Sequence, residues 1–249
     1  MKRKTAPEYS ILSFKHYQKQ LIFFNFNLFS SSSPPGASSA SRYNELYNWV
    51  SGKASPGFPQ PDDSGPLDVD MRLTKLDVVD VDSANNLVTL IARRRVLWAD
   101  RNLAFDEATY NVSCVYAAAT NIWTPDSTFY NSASQEHVLN REVIVFAGGE
   151  LLEIERVQVS INCDLSGVNT YTGATCHLQL GSYGLGNELF HLREPKDNWT
   201  FHLESAFNGA SPYELLSGDV SKSVEPYASG DPEQFYYDAL TFTFSFRRK

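Results

Sequence analysis

Cys163 and Cys176 bracket twelve turn-forming and small polar residues, and a strand-like alternation runs on either side of them. Before Cys163 the run is Leu151-Leu-Glu-Ile-Glu-Arg-Val-Gln-Val-Ser-Ile161, and after Cys176 it is Leu178-Gln-Leu180. Few folds accept such an arrangement. Two strands joined by a loop whose ends meet place the two thiols well for a disulfide. Closing a loop of this size stabilises a fold by roughly 3 kcal/mol in the chain-entropy account. The alternative is a pair of unbridged core cysteines.

The rest of the chain keeps the same period. Val69, Met71 and Leu73 alternate with polar neighbours, and Asp80 to Asn86 reads as a turn. Leu87 to Leu97 forms a strand ending at Trp98. Val143 to Phe146 and Leu151 to Ile161 form a hairpin across Gly148-Gly149. Further strands are predicted over Asn198 to Leu203 and Tyr213 to Leu216. At the end of the chain Leu240, Phe242, Phe244 and Phe246 alternate with Ala239, Thr241, Thr243 and Ser245. One helix precedes them. Tyr43, Leu46, Tyr47 and Val50 fall at the spacing of one helical face, with Ser41 as N-cap and Ser51-Gly52 as the stop. About ten strands with turn signals between them predict an all-β, immunoglobulin-like sandwich with a short N-terminal helix.

A net charge of −8 argues against nucleic acid as a partner, because that role needs a basic footprint. The first forty residues hold Lys2, Arg3, Lys4, Lys15 and Lys19 against Glu8, so the remainder is more acidic still. Residues 1–40 combine a basic start, the apolar run Leu21 to Phe29 and a Ser/Pro-rich stretch. They read as a leader, either a signal peptide or a disordered segment, ahead of a domain over 41–249. The apolar run is too short to span a bilayer. Sequons at Asn111 and Asn198, taken with a disulfide, point to a secreted setting.

Trp98-Ala-Asp-Arg-Asn-Leu-Ala-Phe105, Ile122-Trp-Thr-Pro-Asp126 and Tyr130-Asn131 together resemble the extracellular ligand-binding domain of Cys-loop receptors. The Cys163–Cys176 segment is similar to that of the soluble acetylcholine-binding proteins. Its loop is polar and one residue shorter than the apolar loop with which channel receptors meet their membrane domain. The resemblance covers roughly 41–249. It implies a secreted homopentamer, with no transmembrane segment in this chain, that binds a small ligand of amine or amino-acid type between subunits. No nucleophile–base or metal constellation appears among the residues, so no enzyme activity, cofactor or metal is expected. Phe246-Arg-Arg-Lys249 stands where receptors pass into their first membrane helix, so the extracellular part of a truncated channel subunit is the alternative.

The resemblance also implies site residues. On the principal face Tyr130 and Tyr237 match aromatic positions, and Tyr183 replaces an expected tryptophan, a weaker partner for a cation. The adjacent cysteines of the C-loop are absent. Pro232 and Glu233 stand near their place, and Tyr227 is the candidate for the first C-loop tyrosine. On the complementary face the wall becomes Ile144, Leu152 and Ile154, and Arg93 replaces the usual aromatic. If Arg93 faces the cleft, it repels a quaternary amine and favours a carboxylate, which its planar fork can hold with two hydrogen bonds. Otherwise it faces solvent or pairs with an acidic residue of the neighbouring subunit.

Other candidates read as structural. Cys114 alternates with Val112 and Tyr116 and is expected to be a small core residue. His16, His137, His177, His191 and His202 have no metal-ligand spacing. Gly181-Ser-Tyr-Gly-Leu-Gly186 resembles a phosphate loop without the Lys-Ser/Thr ending, and reads as a strand end and turn. Asp100, Asp106 and Asp126 are scattered through loops and make no catalytic pair.

Overall fold

In the computed structural model, residues 38–59, 65–167, 169–194, 211–226 and 236–249 are described. Helix α1 (Ser39–Lys53) begins the domain. The side chain of Ser38, not Ser41, caps it by accepting from the Ser41 amide at 3.2 Å. Leu46 and Val50 are its buried residues, whereas Tyr47, placed on the same face by its spacing, is exposed. Tyr43 instead uses its hydroxyl to accept from the Tyr116 amide.

Ten strands are found among the described residues: β1 (Leu67–Asp82), β2 (Leu87–Ala99), β3 (Cys114–Ala117), β4 (Thr128–Phe129), β5 (His137–Phe146), β6 (Glu150–Asn162), β7 (Ala174–Gly181), β8 (Phe190–Leu192), β9 (Tyr213–Pro226) and β10 (Tyr236–Arg248). One helical turn, α2 (Glu107–Tyr110), lies between β2 and β3. The strands form a six-stranded sheet in the order β3-β5-β6-β2-β1-β8 and a four-stranded sheet in the order β4-β7-β10-β9. This is the β-sandwich expected from the alternation.

Alternation explains the layers. Val88, Leu90, Ala92 and Val96 of β2 and Val157, Val159 and Ile161 of β6 turn inward from one sheet. Leu178 and Leu180 of β7 and Phe242, Phe244 and Phe246 of β10 meet them from the other, none more than 1 % exposed. The last two phenylalanines stack, with centroids 6.1 Å apart.

Several expectations change in extent. β9 continues ten residues past Leu216, to Pro226, and β5 starts at His137 instead of Val143. β1 runs on to Asp82 before the turn. Cys114 is half-buried rather than part of the core. Burial first, and then the Glu107 charge, raise its thiol above the usual range. The expected strand from Asn198 to Leu203 lies outside the described residues.

The disulfide between Cys163 and Cys176 is present, with Cα atoms 5.4 Å apart. It ties the end of β6 to the start of β7. Asn86, in the left-handed region at φ 56°, ends the β1–β2 turn. Its carbonyl accepts from the Cys163 amide at 2.9 Å and its side chain accepts from the Leu165 amide at 2.9 Å.

Candidate functional site

β7 and β10 run antiparallel from the disulfide, where Phe246 faces Ala174, to the opposite end of the sheet, where Ala239 faces Gly181. At that second end the predicted tyrosines gather. Tyr130 follows β4, and its amide donates to the Gln179 carbonyl at 2.9 Å. Its ring packs edge-to-face on Tyr237, with centroids 5.3 Å apart and planes at 72°. The Tyr130 hydroxyl donates to the Ser182 carbonyl. Asn131 next to it donates to the His177 carbonyl at 2.7 Å and accepts from the Gln179 amide at 3.1 Å, fixing this segment to β7.

Tyr183 lies one residue beyond Ser182 and is 67 % exposed. Asp126 positions its loop. One carboxylate oxygen accepts from the amides of Tyr183 at 2.8 Å and Gly184 at 2.7 Å. Ser182 closes the turn by accepting from the Leu185 amide at 3.0 Å. Beside this loop is a cleft of about 400 Å³ whose lining includes Tyr183, Glu188, Tyr236 and Tyr237. Tyr227, Pro232 and Glu233 lie outside the described residues.

Behind Tyr130 is a buried charge network that alternation alone does not announce. Arg94 of β2 and Glu153 and Glu155 of β6 occupy inward positions, each less than 5 % exposed. Arg94 pairs with Glu155 at 2.6 Å and Glu136 at 2.9 Å, and donates to the Ser127 carbonyl at 2.7 Å. Its guanidinium lies 5.0 Å from the centre of the Phe129 ring. Glu136 in turn accepts from the Phe129 amide at 3.0 Å. Arg141 reaches in to Glu153 at 2.5 Å and Glu155 at 3.3 Å, and donates to Thr124 at 2.7 Å. The backbone leading to Tyr130 is thus held from beneath by ion pairs. Burial, and then the Glu155 charge, push the Glu153 carboxyl up to about 7.

Arg93, Ile144, Leu152 and Ile154 are on the six-stranded sheet, apart from the tyrosines. Directly opposed residues project to one side, and the register puts all four on the outer face. Ile144 faces Leu152, Leu152 faces Leu97, and Ile154 faces Arg95. Ile144 and Leu152 are buried but lie outside the contiguous core, as their outward direction requires. Arg93 stands in a row between Lys75 and Arg156, and Arg95 stands opposite Arg72. Burial first, and then the charges of Arg93 and Arg72, lower Arg95 below its usual range. Its buried Nε has no hydrogen-bond partner among the described residues. Basic residues thus cluster on the outer face beside the apolar wall, with Asp70, Asp77 and Glu142 on the same face and Asp70 paired to Arg72.

Asn111 is exposed at the left-handed end of α2, and Asn198 lies outside the described residues. His177 is exposed and bonds to Thr243 at 2.9 Å, and its neighbour Cys176 is in the disulfide. Asp126, expected to be a loop residue in no catalytic pair, holds the Tyr183 loop by hydrogen bonds, whereas the sequence assigned no role to Glu188 or to Arg94, Glu153 and Glu155. For the last three a signal existed: charged residues at inward positions of strongly alternating strands.

Among the described residues no helix is long and apolar enough to cross a membrane. The chain is 30 % identical over 135 residues to the neuronal acetylcholine receptor subunit eat-2 of Caenorhabditis elegans, a match covering 53 % of this chain and 28 % of the relative. It is 23 % identical over 216 residues to the acetylcholine receptor subunit alpha-type unc-38 of the same organism, covering 77 % of this chain and 42 % of the relative. Over 94 residues it is 32 % identical to the alpha-type subunit acr-16 of Caenorhabditis briggsae, covering 36 % and 19 %. The chain thus spans less than half the length of these relatives. Residues 54–249 match the neurotransmitter-gated ion-channel ligand binding domain. The chain belongs to that family, a family of receptor ligand-binding domains and not of enzymes.

Proposed function

We propose that this domain forms a secreted homopentamer, like the acetylcholine-binding proteins, that takes a small neurotransmitter-type ligand where two subunits meet. One subunit supplies Tyr130, Tyr183 and Tyr237, with Tyr227 from the C-loop. The next supplies Arg93, Ile144, Leu152 and Ile154. Aromatic faces hold an amine by attraction between the cation and the ring quadrupole. The exposed sequon at Asn111 carries a glycan in this reading, as does Asn198.

The observation that carries the proposal is the pairing of two surfaces. Tyr130 packs on Tyr237 beside an open cleft, and Arg93 lies on the same outer face as the apolar wall. A fixed guanidinium facing an amine site repels acetylcholine and suits a ligand that carries a carboxylate as well as an amine. Calorimetry on the purified protein tests this. Acetylcholine is expected to give no binding in the micromolar range. An amino acid that binds is expected to lose about tenfold or more in affinity on Arg93→Ala, the usual loss for a charge-assisted contact. Micromolar acetylcholine binding would overturn the reading.

The relatives' names favour a second reading, the extracellular part of a receptor channel subunit. All three are acetylcholine receptor subunits, and this chain matches only part of each. The transcript beyond the Lys249 codon separates the two. Four apolar helices encoded there support the channel subunit, and a stop codon supports the soluble protein.

A further inference from the structure

The segment Gly181 to Gly186 looked like a phosphate loop, and each of its glycines has a separate task. Gly181 lies under Tyr130, and Gly184 donates its amide to Asp126. Gly186 has the third task. Its carbonyl accepts from the amides of both Leu189 and Phe190 at 3.0 Å, a tight turn that carries Glu188 back over it. A Cβ at position 186 would lie on top of the Glu188 carboxylate, 2.3 Å from Oε2. The turn is also tied to β10, because the Asn187 amide donates to the Tyr236 carbonyl at 2.9 Å.

The result is a carboxylate on the wall of the 400 Å³ cleft, with Tyr183, Tyr236 and Tyr237 as the aromatic part of the lining. Among the described residues that line it, Glu188 is the only charged one. Among the described residues it makes no hydrogen bond or ion pair. A tyrosine attracts a cation less strongly than a tryptophan does, and Tyr183 stands where a tryptophan was expected. A carboxylate beside weaker aromatic faces supplies the missing attraction.

We propose that Glu188 is the counter-charge of this cleft and selects ligands bearing an ammonium group. This rests on the reading of Tyr183 and Tyr237 as ligand-facing aromatics. The ammonium sits against the tyrosine faces with Glu188 at its side, and Arg93 of the adjoining subunit is left for a carboxylate. The specificity is therefore for the cationic end of the ligand, and it is set within a single chain.

Choline and its uncharged carbon isostere, 3,3-dimethylbutan-1-ol, separate charge from shape. Binding of each to the full chain is followed by calorimetry in the millimolar range at low salt. The wild-type protein is expected to prefer choline by about fivefold, the usual worth of one partly exposed charge pair. Glu188→Gln lowers the preference to what the tyrosine faces alone supply and leaves the isostere unchanged. Gly186→Ala keeps the charge but displaces it, and also reduces the preference. Raising the salt weakens choline alone. If Glu188→Gln leaves the preference undiminished while Tyr183→Ala weakens both probes, Glu188 is not the counter-charge and the aromatic site stands. If neither probe binds, or if Tyr183→Ala and Tyr237→Ala change neither, the aromatic reading fails and Glu188 falls with it.

Discussion

Gly181 is where a tyrosine crosses a strand. A Cβ there would lie 2.4 Å from the Tyr130 hydroxyl and 2.7 Å from the Asp238 carbonyl, and the second of these is backbone and cannot swing away. Gly181→Ala is therefore expected to cost about 1–3 kcal/mol, the range for overpacking a filled site. It should also separate Tyr130 from Tyr237. Chemical denaturation and near-ultraviolet circular dichroism read the two effects, and an unchanged midpoint would count against the close approach. Legibility at this scale was uneven. Tyr130, Tyr183 and Tyr237 were legible from the motifs around them. Glu188 was not, and Asp126 was legible as a loop residue but not as the one that holds Tyr183. Asp126 acts on amides 57 and 58 residues away, and Glu188 acts through a turn that places it over Gly186.

Strands β2, β5 and β6 carry their ion network on the face that should be apolar. Arg94, Glu153 and Glu155 are tolerated there because each finds a partner, and removing one would leave an uncompensated buried charge. Glu153 faces Glu155 on its own strand, Arg141 from β5 and Arg94 from β2, with Glu136 held on the far side of Arg94. Its folded pKa of about 7 lies above the ordinary value of 4.5. The folded state thus holds a proton that the unfolded chain has released. Stability from this group is fully present below about pH 4.5 and is lost as pH rises through 7. Wild type should therefore lose stability relative to Glu153→Gln between pH 5 and pH 8. Parallel stability curves over that range would show that Glu153 does not titrate there. The elements themselves were mostly legible. β6 and β10 alternate so strictly that their cores were evident. β9 was read only to Leu216 because the stretch from Ser217 to Pro226 has little apolar content. It extends because β10 offers an almost continuous ladder, from Tyr213–Arg248 to Pro226–Tyr236, and pairing overrides local preference.

At the scale of the molecule, the outer face of the six-stranded sheet combines a buried apolar patch at Ile144 and Leu152 with the basic rows around Arg93 and Arg95. In the proposed assembly an adjoining subunit covers it. Light scattering of the purified protein should then give a mass five times that of the 28.0 kDa chain, and a monomer at micromolar concentration would sink the homopentamer. The fold class was legible because period-two patterning and the cysteine pair both belong to the single chain. An arrangement between chains leaves a weaker trace, since a residue that faces a partner has the same pattern as one that faces water. The disulfide end of the sandwich has a topological consequence. Asn86 is bonded through its backbone to Cys163 and through its side chain to Leu165. The β1–β2 turn and the start of the bridged loop are thereby hydrogen-bonded into one unit. Through the disulfide that unit is joined covalently to β7, which pairs with β10, and the far ends of these two strands are where Tyr183 and Tyr237 stand.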